Sequence, residues 1–162
     1  MINIDSIYEK EKVINSKFRK KYDYSNPDIF YKQVLELTIE ISELAYETKC
    51  FKYWKDDKSS SQEIIIAEYA DCLMITLCFC DLANIKLSNL SKIAETDIVK
   101  LFIKLHNLAS KITINLDEML LLEILSNLLI LPILLDLEAG VVEEHCYKKM
   151  EKTLKMISED VK

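Results

Sequence analysis

The sequence contains few residues that break or turn a chain. It has one glycine and two prolines among 162 residues, and 50% of its residues are hydrophobic. A β-sandwich or a β-barrel needs a turn after each short strand, so this scarcity argues against both architectures. Leucine, isoleucine, glutamate and lysine dominate instead. We therefore predict an all-α fold, a single domain over residues 1–162 that forms a helical bundle with a four-helix core.

Histidine and cysteine are not arranged as they are in zinc sites or histidine-assisted nucleophiles. The two histidines, His106 and His145, are far apart in the sequence. The cysteines form no C-x-x-C motif and are odd in number, and most of them lie in apolar segments. We predict that they are reduced thiols, mainly of the core, which is typical of a cytoplasmic protein. These cysteines are Cys50, Cys72, Cys78, Cys80 and Cys146.

Neither nucleic acid nor a membrane is an expected partner. The formal net charge is -6, so bulk charge does not attract a polyanion. The N-terminus lacks the apolar run of a signal peptide. Polar residues and Pro132 interrupt the most apolar stretch, 119–137, whereas a bilayer crossing needs roughly 20 largely uninterrupted apolar residues. We predict two buried helical segments there, kinked or broken near Pro132.

Four carboxylates form two short pairs in the predicted second and third helices. Glu40 and Glu43 lie in the segment LTIEISELAYE, and Glu68 and Asp71 lie in IIIAEYADCLM. A spacing of three residues places each pair on one face of a helix, one turn apart. One interpretation is a solvated acidic face, which is what most charged runs are.

The residues around these acids favour a metal site over a solvated face. Both pairs share a helical sector with apolar side chains, and no lysine or arginine lies between Lys58 and Lys86 to neutralise the second pair. A buried carboxylate without a partner is costly, so it normally pairs or becomes protonated. We predict that the four carboxylates bind a divalent cation. Hard oxygen ligands select Mg²⁺, Mn²⁺ or Ca²⁺ over zinc.

The loop that follows the first pair has the sequence FKYWKDDKSSSQ. Its aromatic residues either cap the core, or Phe51 or Trp54 lines a pocket for a nucleobase, because aromatic faces stack on bases. Lys52 and Lys55 are either solvated loop charges or ligands for phosphate. The sequence leaves both alternatives open.

Together these segments resemble the all-α, dimeric dUTPases of the MazG-like nucleotide pyrophosphohydrolase superfamily. Members carry E-x-x-E, a loop and E-x-x-D, and the dimeric dUTPases add a phenylalanine-lysine-x-tryptophan element, here FKYW at 51–54. The match is densest over residues 35–73. The resemblance implies hydrolysis of dUTP, or of a related deoxynucleotide, to the monophosphate and pyrophosphate. It also implies Mg²⁺ and a homodimer, and the surplus of apolar helix favours the homodimer as well.

The resemblance also implies roles for individual residues. Glu40, Glu43, Glu68 and Asp71 would hold the metals on the phosphates. A water activated by Glu40 or by the metals would attack the α-phosphorus, which makes Glu40 the expected catalytic residue. The expected substrate-binding residues are Asn15, Phe51, Lys52, Trp54, Tyr147, Lys149 and Lys152.

Several positions depart from the family pattern. Met74 and Ile75 stand where the family has a histidine and an aromatic residue after E-x-x-D. In the predicted last helix, 141–161, the family carries two asparagines and an arginine that grip sugar and phosphates. Met150, Thr153 and Met156 occupy those places here. Two alternatives to a dUTPase follow: a pyrophosphohydrolase that prefers another base, or a non-catalytic helical dimer that binds nucleotide or a protein partner.

Overall fold

The computed structural model describes residues 1–159, and within that range it contains α-helices, one short 3-10 turn and no strand. The predicted all-α class is confirmed. The predicted end of the last helix, at residue 161, lies outside the described residues. The helices are α1 (Ile4–Lys21), α2 (Pro27–Thr48), α3 (Gln62–Leu82), α4 (Ile98–Ala109), α5 (Glu118–Leu134) and α6 (Ala139–Glu159).

Short polar side chains begin most of these helices. The side chains of Asn3, Asn26, Ser61, Asp97 and Asp117 each accept a hydrogen bond from a backbone N–H in the first turn of the helix that follows. Such a bond satisfies one of the amide groups that a helix start leaves without a partner. The Asn-Pro pair before α2 adds a proline at the first helical position, where its missing N–H does no harm.

Helix α3 lies at the centre of the bundle. It packs against α1, α2, α5 and α6, and α4 completes the core by packing against α2 and α5. Because α3 is surrounded, apolar residues occur on all its sides, and Tyr69, Leu73 and Leu77 are completely buried. The long contact between α2 and α3 places the two predicted carboxylate helices next to each other.

The apolar stretch before α6 differs from the prediction. Helix α5 is one element that runs through Pro132 and ends two residues later, at Leu134. It neither breaks at the proline nor continues as a second segment, because Pro132 lies in the last turn. There the ring removes a single helical hydrogen bond, and burial of the leucines outweighs that loss. None of the described helices combines the length and the apolar character that a bilayer crossing requires.

Candidate active site between the second and third helices

Three of the four predicted carboxylates meet between α2 and α3. One carboxylate oxygen from each of Glu40, Glu68 and Asp71 lies within 4.8 Å of those of the other two, and all three residues are partly buried. Glu43 is exposed and lies outside this group. Its charge nevertheless raises the pKa of both Glu40 and Glu68, so its carboxylate is close to them.

Burial and mutual repulsion make these carboxylates harder to ionise. The pKa of Glu40 is raised, first by burial and then by the charges of Glu43 and Glu68. The pKa of Glu68 is raised by burial and by the charges of Glu43 and Glu47. A cation bound among these groups would lower the pKa of both Glu40 and Glu68. The donor set is therefore suitable for Mg²⁺ or Mn²⁺, which prefer carboxylate oxygens.

Lys149 of α6 forms an ion pair with Asp71. The carboxylates of Glu40, Glu68 and Glu36 also stabilise its positive charge, although burial has the larger effect and lowers the pKa of Lys149. Asp71 has no basic neighbour nearby in the sequence, as noted above, but it has one in the folded chain. The partner comes from a helix that the sequence spacing does not place beside α3.

A pocket of about 260 Å³ adjoins this ion pair. Asp71 and Lys149 line it together with polar residues of α1 and α2, namely Glu11, Asn15, Gln33 and Glu36. Within the described residues, the Nδ2 atom of Asn15 and the Oε1 atom of Gln33 are buried and have no hydrogen-bond partner. Burial, with repulsion from Asp81, raises the pKa of Glu11 to about 7, although Lys149 opposes the shift.

Four of the five positions that depart from the family pattern surround the same pocket, whereas Met156 is exposed and does not line it. Met74, Ile75, Met150 and Thr153 all line it. The carboxylates that match the pattern lie beside the pocket, and the altered residues form its walls. The matching and the altered positions therefore lie next to each other in the folded chain.

The aromatic loop lies apart from the pocket. Trp54 is 61% exposed and packs edge-on against Phe51 and Tyr53. Lys52 forms an ion pair with Asp57, which Lys55 also contacts at 2.9 Å. In this single chain neither the aromatic rings nor Lys52 lines the pocket.

The predicted binding residues of α6 do not all face the pocket. Only Lys149 lines it. The hydroxyl of Tyr147 donates to Ser6 Oγ at 2.9 Å, and its ring lies under the ammonium group of Lys10. Lys152 is exposed, and its charge lowers the pKa of Lys149, so it lies near the site without entering the pocket.

Asn15, a predicted substrate-binding residue, lines the pocket, whereas no role was predicted for Glu11 and Gln33. A signal for Glu11 was present in the sequence: it precedes Asn15 by four residues, which places both on one face of α1 next to buried Ile7 and Ile14. Polar residues on the apolar face of a helix indicate a buried polar site. No local pattern identified Gln33.

The structure is an all-α bundle in which carboxylates from adjacent helices converge beside a polar pocket. This arrangement defines a class of protein suited to binding a cation and a charged small molecule. The model of the dUTPase family matches residues 3–157. The chain therefore belongs to the all-α dUTPase family, a family of pyrophosphohydrolases, and the resemblance inferred from the motifs is confirmed. No curated protein and no solved structure matches the chain.

Proposed function

We propose that this protein hydrolyses dUTP to dUMP and pyrophosphate with Mg²⁺, for which Mn²⁺ can substitute. The observation that carries the proposal is the convergence of Glu40, Glu68 and Asp71 beside a pocket with unsatisfied polar groups, in a member of the dUTPase family. Bound Mg²⁺ would neutralise phosphate charge and lower the pKa of a bound water. Glu40, Glu68 and Asp71 would hold it, with Glu43 one turn from Glu40 on α2.

The residues of the chain then have distinct tasks. Glu40 accepts the proton of the water that attacks the α-phosphorus, because its carboxylate lies in the group that would hold the metal. The bond from the α-phosphorus to the bridging oxygen breaks, and pyrophosphate leaves. When Asp71 serves as a metal ligand, Lys149 is free to donate to phosphate oxygens. Asn15 holds the base through its free Nδ2 group.

The assay for this proposal is pyrophosphate release from each dNTP with Mg²⁺, compared with the same reaction in EDTA. We expect Glu68→Gln and Glu43→Gln to lower kcat at least 100-fold, on the order of the loss of one electrostatic group from a transition state, with little change in fold. Glu63→Gln is the matched control, because Glu63 is exposed in the first turn of the same helix as Glu68. Absence of turnover with every dNTP, or near-full activity in Glu43→Gln, would contradict the proposal.

A second candidate is a related pyrophosphohydrolase with another base preference. The observation that favours it is that four of the five altered positions line the pocket, namely Met74, Ile75, Met150 and Thr153. Comparison of kcat/KM across the dNTPs distinguishes the two.

A third candidate, a non-catalytic helical dimer, predicts no turnover and no heat of Mg²⁺ binding in the presence of nucleotide.

We also propose that the protein is a cytoplasmic homodimer. The free cysteines favour the location. Helix α2 carries an exposed apolar stripe of Tyr31, Leu35, Ile39 and Tyr46, with Leu35 60% exposed, and a second copy would bury it. We expect light scattering to show a dimer for the wild type and a monomer for Leu35→Lys. Ile103→Lys, on the exposed surface of α4, should remain dimeric. A monomeric wild type would contradict this interface.

A further inference from the structure

Lys149 lies among several carboxylates and forms an ion pair with one of them, that of Asp71. Three further carboxylates, those of Glu40, Glu68 and Glu36, also favour its charged form. Burial acts against that charge, so the ammonium group needs a carboxylate partner inside the fold. A cation held by the three converging carboxylates would occupy Asp71 and leave Lys149 without its present partner.

Glu36 is the one carboxylate of this set that lies outside the converging group. Within residues 1–159 its side chain forms no ion pair. It precedes Glu40 by four residues on α2, so the two share a face of that helix, one turn apart. Glu36 also lines the same pocket as Asp71 and Lys149. A carboxylate without an ion-pair partner therefore lies beside the candidate metal site, in the cavity that Lys149 lines.

We propose that Glu36 receives the ammonium group of Lys149 when a divalent cation takes Asp71. Glu36 is thus a positioning residue, because it lets the metal bind without leaving a partly buried ammonium group unpaired. Lysine suits this exchange, since its flexible stem and three rotatable donors allow it to change partners while α6 stays in place. The inference rests on the proposed function, because it concerns the metal site assigned there.

The other acid that lines the pocket near Lys149, Glu11, is a poorer acceptor. Burial, with repulsion from Asp81, raises the pKa of Glu11 to about 7. Such a carboxyl is about half neutral at pH 7, and its neutral form attracts an ammonium group less. Glu36 is exposed, and Lys149 opposes the rise that burial causes in its pKa. The exchange is therefore assigned to Glu36 rather than to Glu11.

The test is a double-mutant cycle of Glu36→Gln and Lys149→Met, with Mn²⁺ affinity measured by calorimetry in the absence of nucleotide. Glu36→Gln removes the acceptor charge and keeps the size of the side chain. It also weakens the general attraction for a cation, but that contribution is present in both backgrounds and cancels in the cycle. We expect Glu36→Gln to weaken Mn²⁺ binding about threefold to fivefold more when Lys149 is present than in Lys149→Met, on the order of the contribution of an exposed ion pair.

Glu11→Gln is the control acid of the same pocket, and its effect on Mn²⁺ affinity should be the same with and without Lys149. Lys149→Gln repeats the cycle with a neutral polar side chain. Equal effects of Glu36→Gln in the two backgrounds would mean that its charge acts on the cation directly. A smaller effect in the presence of Lys149 would mean that Glu36 holds the lysine against Asp71. Either result overturns the inference, as does coupling of Lys149 to Glu11 instead, or a wild type that binds no Mn²⁺.

Failure of this inference differs from failure of the proposed function, because the cycle is measured without nucleotide. If a dNTP releases pyrophosphate while the cycle shows no coupling, only the exchange of partners is wrong. If the cycle shows the expected coupling but no dNTP releases pyrophosphate, the exchange is correct and the proposed hydrolysis is wrong.

Discussion

Lys149 provides the sharpest test of the candidate metal site. Its ammonium group is paired with Asp71 and lies among carboxylates that would bind a cation. A divalent ion that uses Asp71 must therefore displace Lys149. Replacing Lys149 with methionine removes this competition, and we expect the nucleotide-free variant to bind Mn²⁺ more tightly than the wild type does.

The size of the effect follows from the exposure of the ion pair. The side chains of Lys149 and Asp71 are 32% and 29% exposed, so the pair is neither at the surface nor deeply buried. Exposed pairs contribute about 0–1 kcal/mol, and removing one partner of a fully buried pair costs about 3–5 kcal/mol. An intermediate value of about 1–1.5 kcal/mol corresponds to roughly five- to tenfold tighter binding.

The assay is Mn²⁺ binding by electron paramagnetic resonance or calorimetry, without nucleotide. Lys148→Met is the matched control, because it removes the same charge from the next position of α6. Lys148 is exposed and pairs with Glu144 at 2.6 Å. We expect the control to bind Mn²⁺ like the wild type.

Turnover should move in the opposite direction from metal affinity. Because Lys149 is proposed to grip the phosphates, Lys149→Met should lower kcat/KM although its metal site is more accessible. Equal or weaker Mn²⁺ binding by Lys149→Met than by the wild type would refute the view that the lysine and the metal share one site.

Three further predictions concern the pocket and the loop. Asn15→Leu should raise the free energy of unfolding by about 1 kcal/mol in urea titrations, because it removes an unsatisfied buried amide. The same change should raise KM for the nucleotide. A fall in both stability and KM would contradict this assignment. The free energy of unfolding of the wild type should fall by about 3 kcal/mol between pH 4.5 and pH 8, relative to that of Glu11→Gln. Folding raises the Glu11 pKa from 4.5 to about 7, so ionisation of Glu11 opposes the folded state. Parallel pH profiles of the urea midpoint for the two proteins would exclude this effect. Trp54 is the single tryptophan, so a nucleotide that contacts it should change the protein fluorescence, and unchanged emission at saturating nucleotide would exclude the contact.

The site illustrates which features local spacing can predict. The E-x-x-E and E-x-x-D pairs identified Glu40, Glu68 and Asp71 as members of one site, because residues three apart share a helix face whatever the helix packs against. Glu43 satisfies the same rule but is exposed, because spacing within one helix does not determine which carboxylate the packing buries. Lys149 was predicted as a substrate-binding residue, and its pairing with Asp71 was not predicted.

The sequence by itself determined the all-α class and the carboxylate pairs, because helical periodicity and the scarcity of glycine and proline act between near neighbours in the chain. Only the tertiary packing determined which residues line the pocket. Glu11, Gln33 and Lys149 come from α1, α2 and α6, and they meet only because these helices surround α3. Burial is a property of the assembled bundle, so the raised pKa of Glu11 and the unsatisfied amide of Asn15 exist only once the helices have packed.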